Sequence, residues 1–210
     1  MKSKEIICCV AGRSGGHIIP CMTIAQTRTE SSNILFFTSD YPLDKEILRK
    51  YPQLYQHVSL HLMNVPRWWR MPLFGLQAIS TFFKSLIILA RTRPTTVIST
   101  GGYIAIPVCC AAYILRIPIE LYELNAVPGK AAYVIARIAS RIVVCFKKTE
   151  SCFQQPTYVE PYPVRFVQEI QPLIKKPEEL LPNYTPHKKT ILISADVTRA
   201  IESAEVITRE

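Results

Sequence analysis

The segment Glu5-Ile6-Ile7-Cys8-Cys9-Val10-Ala11-Gly12-Arg13-Ser14-Gly15-Gly16-His17 decides the fold class of this chain. Its apolar run has the length of a buried strand, and a glycine-containing turn follows it. The next apolar stretch, residues 17–29, is long enough to form a helix. A buried strand, a glycine turn and a helix in that order are typical of the start of a parallel α/β domain.

The same alternation of strand and helix continues to about residue 145. We predict strands at residues 5–11, 33–38, 56–62, 96–99, 119–123 and 141–145. Helices are predicted between them, at residues 17–29, 44–50, 73–91, 104–116 and 129–139. Because the strands are continuous apolar runs, both faces of the sheet should be covered by helices. The pattern therefore predicts a doubly wound, Rossmann-like α/β domain with a parallel sheet.

The composition changes near Pro156, and this change sets the expected domain boundaries. Prolines recur at positions 156, 161, 163, 172, 177, 182 and 186. Proline lacks a backbone N–H, so such a segment favours a linker over a helix or an inner strand. We expect one domain over residues 1–165, a linker over 166–189 and the remnant of the start of a truncated second domain over 190–210.

The charge of the chain is unevenly distributed along the sequence. The 210 residues carry 25 Lys+Arg and 16 Asp+Glu, a formal net charge of +9. No acidic residue occurs between Glu46 and Glu120, although eight basic residues do. A one-sided stretch of this kind predicts an anionic partner. The length and apolar content exclude a disordered tail and a disulfide-stapled miniprotein.

The seven cysteines form no C-x-x-C pair and mostly lie in apolar runs. This arrangement predicts reduced, buried thiols and no zinc site. The apolar stretch at the N-terminus is too short for a signal peptide. The longest apolar stretch, residues 71–90, contains Gln77 and Lys84, so we predict no transmembrane helix.

Three polar or glycine-bearing loops follow predicted strands. They are residues 12–17, residues 99–103 and residues 122–129. Glycines at the start of a helix allow backbone N–H groups to approach an anion such as a diphosphate. Glu123 and Asn125 in the third loop could orient sugar hydroxyls. Taken singly, each loop could instead be a tight turn, and His17 and Glu123 could be packing or capping residues; the first loop is no G-x-G-x-x-G dinucleotide motif.

Four motifs resemble those of the MurG family of bacterial N-acetylglucosamine (GlcNAc) transferases, glycosyltransferase family 28. The family's Gly-Gly-Thr-Gly-Gly-His loop corresponds to residues 12–17, with Pro20 after it. Its other three motifs correspond to Gly101-Gly102-Tyr103, to Tyr122-Glu123-Leu124-Asn125 with Pro128-Gly129, and to Tyr162-Pro163-Val164-Arg165. They occur in the family's order over about 165 residues.

The resemblance implies the N-terminal domain of a two-domain GT-B glycosyltransferase. Such an enzyme would transfer GlcNAc from UDP-GlcNAc to lipid I, forming lipid II in peptidoglycan synthesis, with inversion and without a metal or other cofactor. It would be cytoplasmic and peripheral on the inner face of the membrane. The resemblance assigns substrate binding to Ser14, Gly15, Gly16, Gly101, Gly102, Tyr103, Asn125 and Arg165. It leaves His17 and Glu123 as rival candidates for the catalytic base that accepts the acceptor's proton.

The sequence also departs from the family pattern. Arg13 replaces a glycine, and Tyr122 and Leu124 replace a His and a Gln. The glycine loop that opens the family's second domain is absent after residue 194. We therefore expect this chain alone to be inactive. Two alternatives stay open: a membrane-associated acceptor subunit that needs a separate donor-binding chain, and a decayed pseudo-enzyme.

A basic and aromatic segment precedes and enters the third predicted helix. We predict that it contacts an anionic membrane surface through Arg67, Trp68, Trp69, Arg70, Phe74 and Lys84. Tryptophan beside arginine suits the membrane–water interface, where the ring lies at headgroup depth. Packing of the helix on the sheet is the simpler alternative for its apolar residues. Nucleic acid is the competing partner for the charge, but we expect none because no nucleic-acid-binding motif is present.

Overall fold

Seven parallel strands form a single sheet in the computed structural model, which describes residues 5–12, 15–30, 33–49, 56–62 and 71–163. The strands are β1 (Ile7–Val10), β2 (Ile34–Ser39), β3 (Gln56–Leu60), β4 (Thr96–Ser99), β5 (Ile119–Glu123), β6 (Arg141–Val144) and β7 (Thr157–Val159). Their order across the sheet is β3-β2-β1-β4-β5-β6-β7, and every pair is parallel. The doubly wound, Rossmann-like prediction is confirmed.

In the described parts of the chain, five α-helices cover the two faces of this sheet. They are α1 (Gly15–Gln26), α2 (Pro42–Arg49), α3 (Met71–Thr92), α4 (Ala105–Ile114) and α5 (Lys130–Ala136). Alternate residues of β1 point to opposite faces, so Cys8 belongs to one apolar cluster and Cys9 to the other. Residues of α3, α4 and α5 complete the first cluster, and residues of α1 and α2 complete the second. Two such cores explain the unbroken apolar strands.

Four of the seven cysteines are fully buried, and the other three are partly exposed. Burial raises the pKa of the Cys8 thiol and that of the Cys9 thiol well above the ordinary value for cysteine. It raises the pKa of Cys109 to about 12. These thiols therefore remain protonated at neutral pH and act as small apolar core residues.

The edge strand β7 is not among the strands predicted from the sequence. Thr157–Val159 pairs in parallel with β6, just after the composition changes near Pro156. The strand is short, lies at the edge and has prolines on both sides, which is where a sheet tolerates them. Arg141 anchors it, because the guanidinium bonds Glu160 at 2.6 Å and lies 4.9 Å from the centre of the Tyr158 ring.

Helix α3 has one buried face and one exposed apolar face. Its buried face carries Thr81, Ser85 and Leu89. Leu73, Leu76, Ile79, Phe83 and Ile87 are about half exposed or more and recur every three or four residues along one side. This set is called the exposed stripe below.

By length and composition α3 could cross a membrane, which the sequence analysis did not expect. Its 22 residues contain a window with a mean hydropathy of 1.7, of which 17% is buried. Its inner face nevertheless forms part of the core over the sheet. The helix is therefore apolar on its inner side, which packs over the sheet, and also on its outer side, which carries the exposed stripe.

The described residues belong to one compact unit, Met1–Arg165. The predicted linker at 166–189 and the predicted start of a second domain at 190–210 lie outside the described residues.

The two faces of α3 predict opposite responses to truncation. Replacing Leu89, which is fully buried, with Ala should lower the free energy of unfolding by about 2–5 kcal/mol. Replacing Leu76, which is 65% exposed, with Ala should change it by no more than about 0.5 kcal/mol. Urea denaturation of both variants measures the difference. Equal losses would contradict the assignment of the two faces.

Candidate functional site

The loops after β1 and β4 meet at the carboxyl edge of the sheet. The two strands are neighbours, and Val10 pairs with Ser99 at their ends. The Thr100 N–H donates to the Val10 carbonyl at 3.4 Å, and the Thr100 hydroxyl donates to the His17 carbonyl at 3.0 Å. The first and second predicted loops thus share one location, at the point where a doubly wound sheet binds its ligands.

Both of these loops contain glycines at positions that disfavour a side chain. Gly101 and Gly102 have φ values of +95° and +87°, which side chains rarely adopt. A Cβ on Gly12 would lie 3.2 Å from Ile104 Cγ2 and 3.4 Å from a carboxylate oxygen of Asp44. Tyr103, the last residue of the second motif, is partly exposed beside them.

Asp44 is a buried carboxylate that the sequence analysis did not assign to the site. It lies in the first turn of α2, is fully buried and accepts a hydrogen bond from the Ser39 hydroxyl. An acidic residue in the first turn of a helix is a common capping pattern, so its position gave only a weak signal. Because it borders Gly12, Asp44 places a buried carboxylate directly behind the first loop.

His17 lies in the first turn of α1. The residue is partly exposed, while its Nδ1 atom is buried and has no hydrogen-bond partner within the described residues. Gly15 and Gly16 begin the helix, where the first N–H groups have no partner within the helix. Arg13 and Ser14 lie outside the described residues. The start of α1 thus brings helix N–H donors and an imidazole to the same edge of the sheet.

Pro20 leaves one carbonyl in this turn without its helical partner. The Gly16 carbonyl would normally accept from the N–H four residues later, but Pro20 has none. The Tyr162 hydroxyl, which follows β7, donates to that carbonyl at 3.2 Å. The fourth motif, residues 162–165, therefore begins in contact with the first, although Val164 and Arg165 lie outside the described residues.

The third loop is organised around Glu123, the last residue of β5. Its side chain is buried, with 3% exposure. One carboxylate oxygen accepts from both the backbone N–H and the Nδ2 of Asn125, each at 2.9 Å. The other oxygen accepts from the Gly129 N–H at 3.2 Å. Asn125 itself is exposed at the surface of the loop.

The two family departures in this motif, Tyr122 and Leu124, both point into the core cluster beneath α1. The Tyr122 hydroxyl lies 2.6 Å from an Arg28 nitrogen, and Arg28 also bonds Glu120 at 2.7 Å. Burial raises the pKa of Tyr122 to about 12. Tyr122 therefore remains a neutral packing residue.

The predicted membrane residues are only partly described. Arg67, Trp68, Trp69 and Arg70 lie outside the described residues. Phe74 is half-buried against the core, so the exposed stripe and not Phe74 supplies the apolar surface of α3. Lys84 is exposed, and its Nζ donates to the Ser59 carbonyl at 2.8 Å. Within the described ranges, no group of three His, Cys, Asp or Glu residues could hold a metal ion.

Comparison with known proteins agrees with this fold. Residues 7–144 match the glycosyltransferase family 28 N-terminal domain. A transferase from Thermosipho africanus, named UDP-N-acetylglucosamine–N-acetylmuramyl-(pentapeptide) pyrophosphoryl-undecaprenol N-acetylglucosamine transferase, is 30% identical over 89% of the chain. A protein of the same name from Caldicellulosiruptor saccharolyticus is 32% identical over 76%. The chain covers 53% and 44% of these relatives, so it spans about half their length.

Solved structures show the same fold. The crystal structure of Acinetobacter baumannii MurG aligns with a TM-score of 0.62 at 18% identity, over 76% of this chain and 46% of that one. A UDP-GlcNAc 2-epimerase from Neisseria meningitidis, bound to UDP-GlcNAc, aligns with a TM-score of 0.56 at 10% identity, over 73% and 45%. Together with the family match over most of the described sheet, these findings show that the chain belongs to glycosyltransferase family 28 and contains its N-terminal domain.

Proposed function

We propose that this chain is the acceptor-binding part of a transferase that moves GlcNAc from UDP-GlcNAc to lipid I, forming lipid II in peptidoglycan synthesis. The observation that carries the proposal is the meeting of the first two glycine loops beside His17, at the carboxyl edge between β1 and β4. The curated relatives bear the name of this transferase, and the chain spans about half their length. We therefore propose that the 210 residues alone lack the activity of the whole enzyme.

The proposed chemistry assigns separate tasks to the residues at this edge. The acceptor hydroxyl attacks the anomeric carbon, the bond to the UDP oxygen breaks, and the configuration inverts. His17 accepts the hydroxyl proton as the general base. The N–H groups at the start of α1 and the loop containing Ser14, Gly15 and Gly16 stabilise a substrate diphosphate. Gly101, Gly102 and Tyr103 form the adjoining wall, and Asn125 and Arg165 contact the donor. No metal or other cofactor is required.

Membrane contact is the second part of the proposal. The exposed stripe of α3 places five apolar side chains on one side of the helix, and its first residue, Leu73, follows the Arg67–Arg70 segment closely. Apolar burial together with basic residues gives reversible attachment to an anionic surface. The chain would then be cytoplasmic and peripheral on the inner face of the membrane, where a lipid-linked acceptor lies.

A second candidate function remains for the same fold. In it the chain is a non-catalytic, membrane-associated acceptor subunit that works with a separate donor-binding chain. A decayed pseudo-enzyme is the third possibility. The residues at the carboxyl edge favour retained ligand binding, because both loops keep glycine where their backbone favours it: Gly101 and Gly102 have positive φ values, and a Cβ on Gly12 would lie 3.2 Å from Ile104 Cγ2.

The first test is a transfer assay with UDP-GlcNAc and lipid I. The chain alone should bind lipid I in detergent micelles but form no lipid II. Adding the separately produced second half of the Thermosipho africanus relative should yield product if a donor-binding chain is all that is missing. Product from the chain alone would contradict the acceptor-half proposal. A chain that binds neither substrate would support the pseudo-enzyme.

The second test concerns His17. In the two-chain mixture, replacing His17 with Ala should lower kcat by about 100- to 10,000-fold, because an attacking hydroxyl would lose its base. Binding of lipid I should change little, since the backbone of the loop is retained. An unchanged transfer rate would reject His17 as the base.

The third test concerns the exposed stripe. Vesicles containing phosphatidylglycerol should bind the chain, and the double variant Leu76→Ser/Phe83→Ser should bind at least about tenfold more weakly because two apolar side chains no longer enter the bilayer surface. The matched control is Tyr113→Ser/Ile114→Ser, whose residues are similarly exposed at the end of α4. Equal losses in both variants, or tight DNA binding without vesicle binding, would contradict the proposed membrane contact.

A further inference from the structure

The carboxylate of Glu123 is already occupied in the free protein. It is 3% exposed and accepts three N–H donors, two from Asn125 and one from Gly129. A general base needs an oxygen lone pair that an incoming hydroxyl can reach. Here both oxygens already accept hydrogen bonds from the loop, and the 3% exposure of Glu123 leaves a hydroxyl little access to the remaining lone pair. Glu123 is therefore placed to hold the loop that contains Asn125 and Gly129 in its conformation.

The contact between Glu123 and Asn125 determines which end of the Asn125 carboxamide is presented outward. An ionised carboxylate only accepts hydrogen bonds, so the Nδ2 of Asn125 must face it. The Oδ1 atom then lies at the other end of the carboxamide, on an exposed side chain. The third loop therefore displays a hydrogen-bond acceptor at the carboxyl end of β5.

Thr149 fixes the same loop from a second direction. It is fully buried, and its hydroxyl lies 3.0 Å from the Ala126 carbonyl and 3.3 Å from the Asn125 carbonyl. The Cys145 N–H also donates to the Glu123 carbonyl at 3.2 Å. These contacts hold residues 123–129 in place from beneath, while the Asn125 side chain stays at the surface.

We propose that Glu123 is a positioning residue: it clamps the loop 124–129 and orients Asn125 so that Oδ1 accepts a hydrogen bond from the ligand. The ligand group must then be a donor, such as a sugar hydroxyl or an acetamido N–H. That the ligand is a sugar rests on the proposed function. The clamp itself rests only on the hydrogen bonds that Glu123 accepts. His17 is then left as the candidate base.

Replacement of Glu123 with Gln tests the clamp in the 210-residue chain. Glutamine offers one carbonyl oxygen and one NH2 group, so it cannot accept from both Asn125 and Gly129. If its oxygen keeps Asn125, its NH2 group faces the Gly129 N–H and that bond is lost. We expect exchange of the Gly129 amide hydrogen, followed by NMR, to become about tenfold faster or more.

A flipped glutamine would instead release Asn125. The Nδ2 signals of Asn125 would then move toward those of a solvated asparagine, and either outcome supports the clamp. The matched control is Glu120→Gln, the same change on the same strand, whose carboxylate bonds Arg28. It should leave the Gly129 and Asn125 signals unchanged. Unchanged signals in Glu123→Gln as well would overturn the proposal.

A second variant keeps the test decisive if Glu123→Gln fails to fold. Asn125 is exposed, so Asn125→Asp should preserve the core while placing a second carboxylate against Glu123. Repulsion between the two carboxylates should open the loop and speed exchange at Gly129 without affecting amides of β5. An unchanged exchange rate of the Gly129 amide hydrogen in Asn125→Asp would contradict the clamp.

Titration with UDP-GlcNAc and with lipid I separates the clamp from the proposed function. If Glu123 acts through Asn125, Glu123→Gln and Asn125→Ala should weaken binding by similar factors, and the double variant should bind no more weakly than Asn125→Ala. Additive losses would overturn the positioning role. If the native chain binds neither probe, the proposed function fails, and the exchange experiment alone decides the clamp.

Discussion

The parallel pairing of β1 with β4 is the constraint on which the site depends. These two strands are 89 residues apart at their paired ends, Val10 and Ser99, yet they lie side by side in the middle of the sheet. Their neighbours wind outward in opposite directions, which leaves a crevice above the shared edge. Both glycine loops and His17 meet there because the strands stop at the same level. Any change in this register would separate them.

Much of the fold could be predicted because buried parallel strands have a simple signature. Residues 96–99 and 119–123 read as short apolar runs and form β4 and β5 with those bounds. The exception was β7, because the three residues Thr157–Val159 lie between prolines and show no apolar run. An edge strand is stabilised by its partner strand and by Arg141, neither of which is visible in its own sequence.

The candidate site was predictable as a set of loops but not as a set of contacts. Glycine patterns located the loops at residues 12–17 and 99–103, since strained or closely packed backbone leaves a mark in the sequence. The partners of Glu123 depend on how its own loop folds back, and local patterns do not report that. Asp44 was missed because a buried carboxylate in a first helical turn looks the same as an exposed one.

The apolar residues of α3 show a related limit, because hydropathy does not say which neighbour an apolar side chain meets. Leu89 and Leu76 are the same residue type, yet one is fully buried and the other is 65% exposed. Position around the helix separates the two roles. One face of α3 thus packs on the sheet and stabilises it, whereas the opposite face leaves its apolar side chains exposed.

The proline in α1 has a consequence for how the last part of the described chain is held against this helix start. The beginning of a helix ordinarily presents only N–H donors, which suits anions. Pro20 frees the Gly16 carbonyl in the same turn, and the Tyr162 hydroxyl already uses it. The first turn of α1 therefore has both hydrogen-bonding polarities: N–H donors without helical partners and one peptide oxygen that accepts from Tyr162. A break in the helix ladder thus attaches a residue 146 positions further along the chain to the edge that carries both glycine loops.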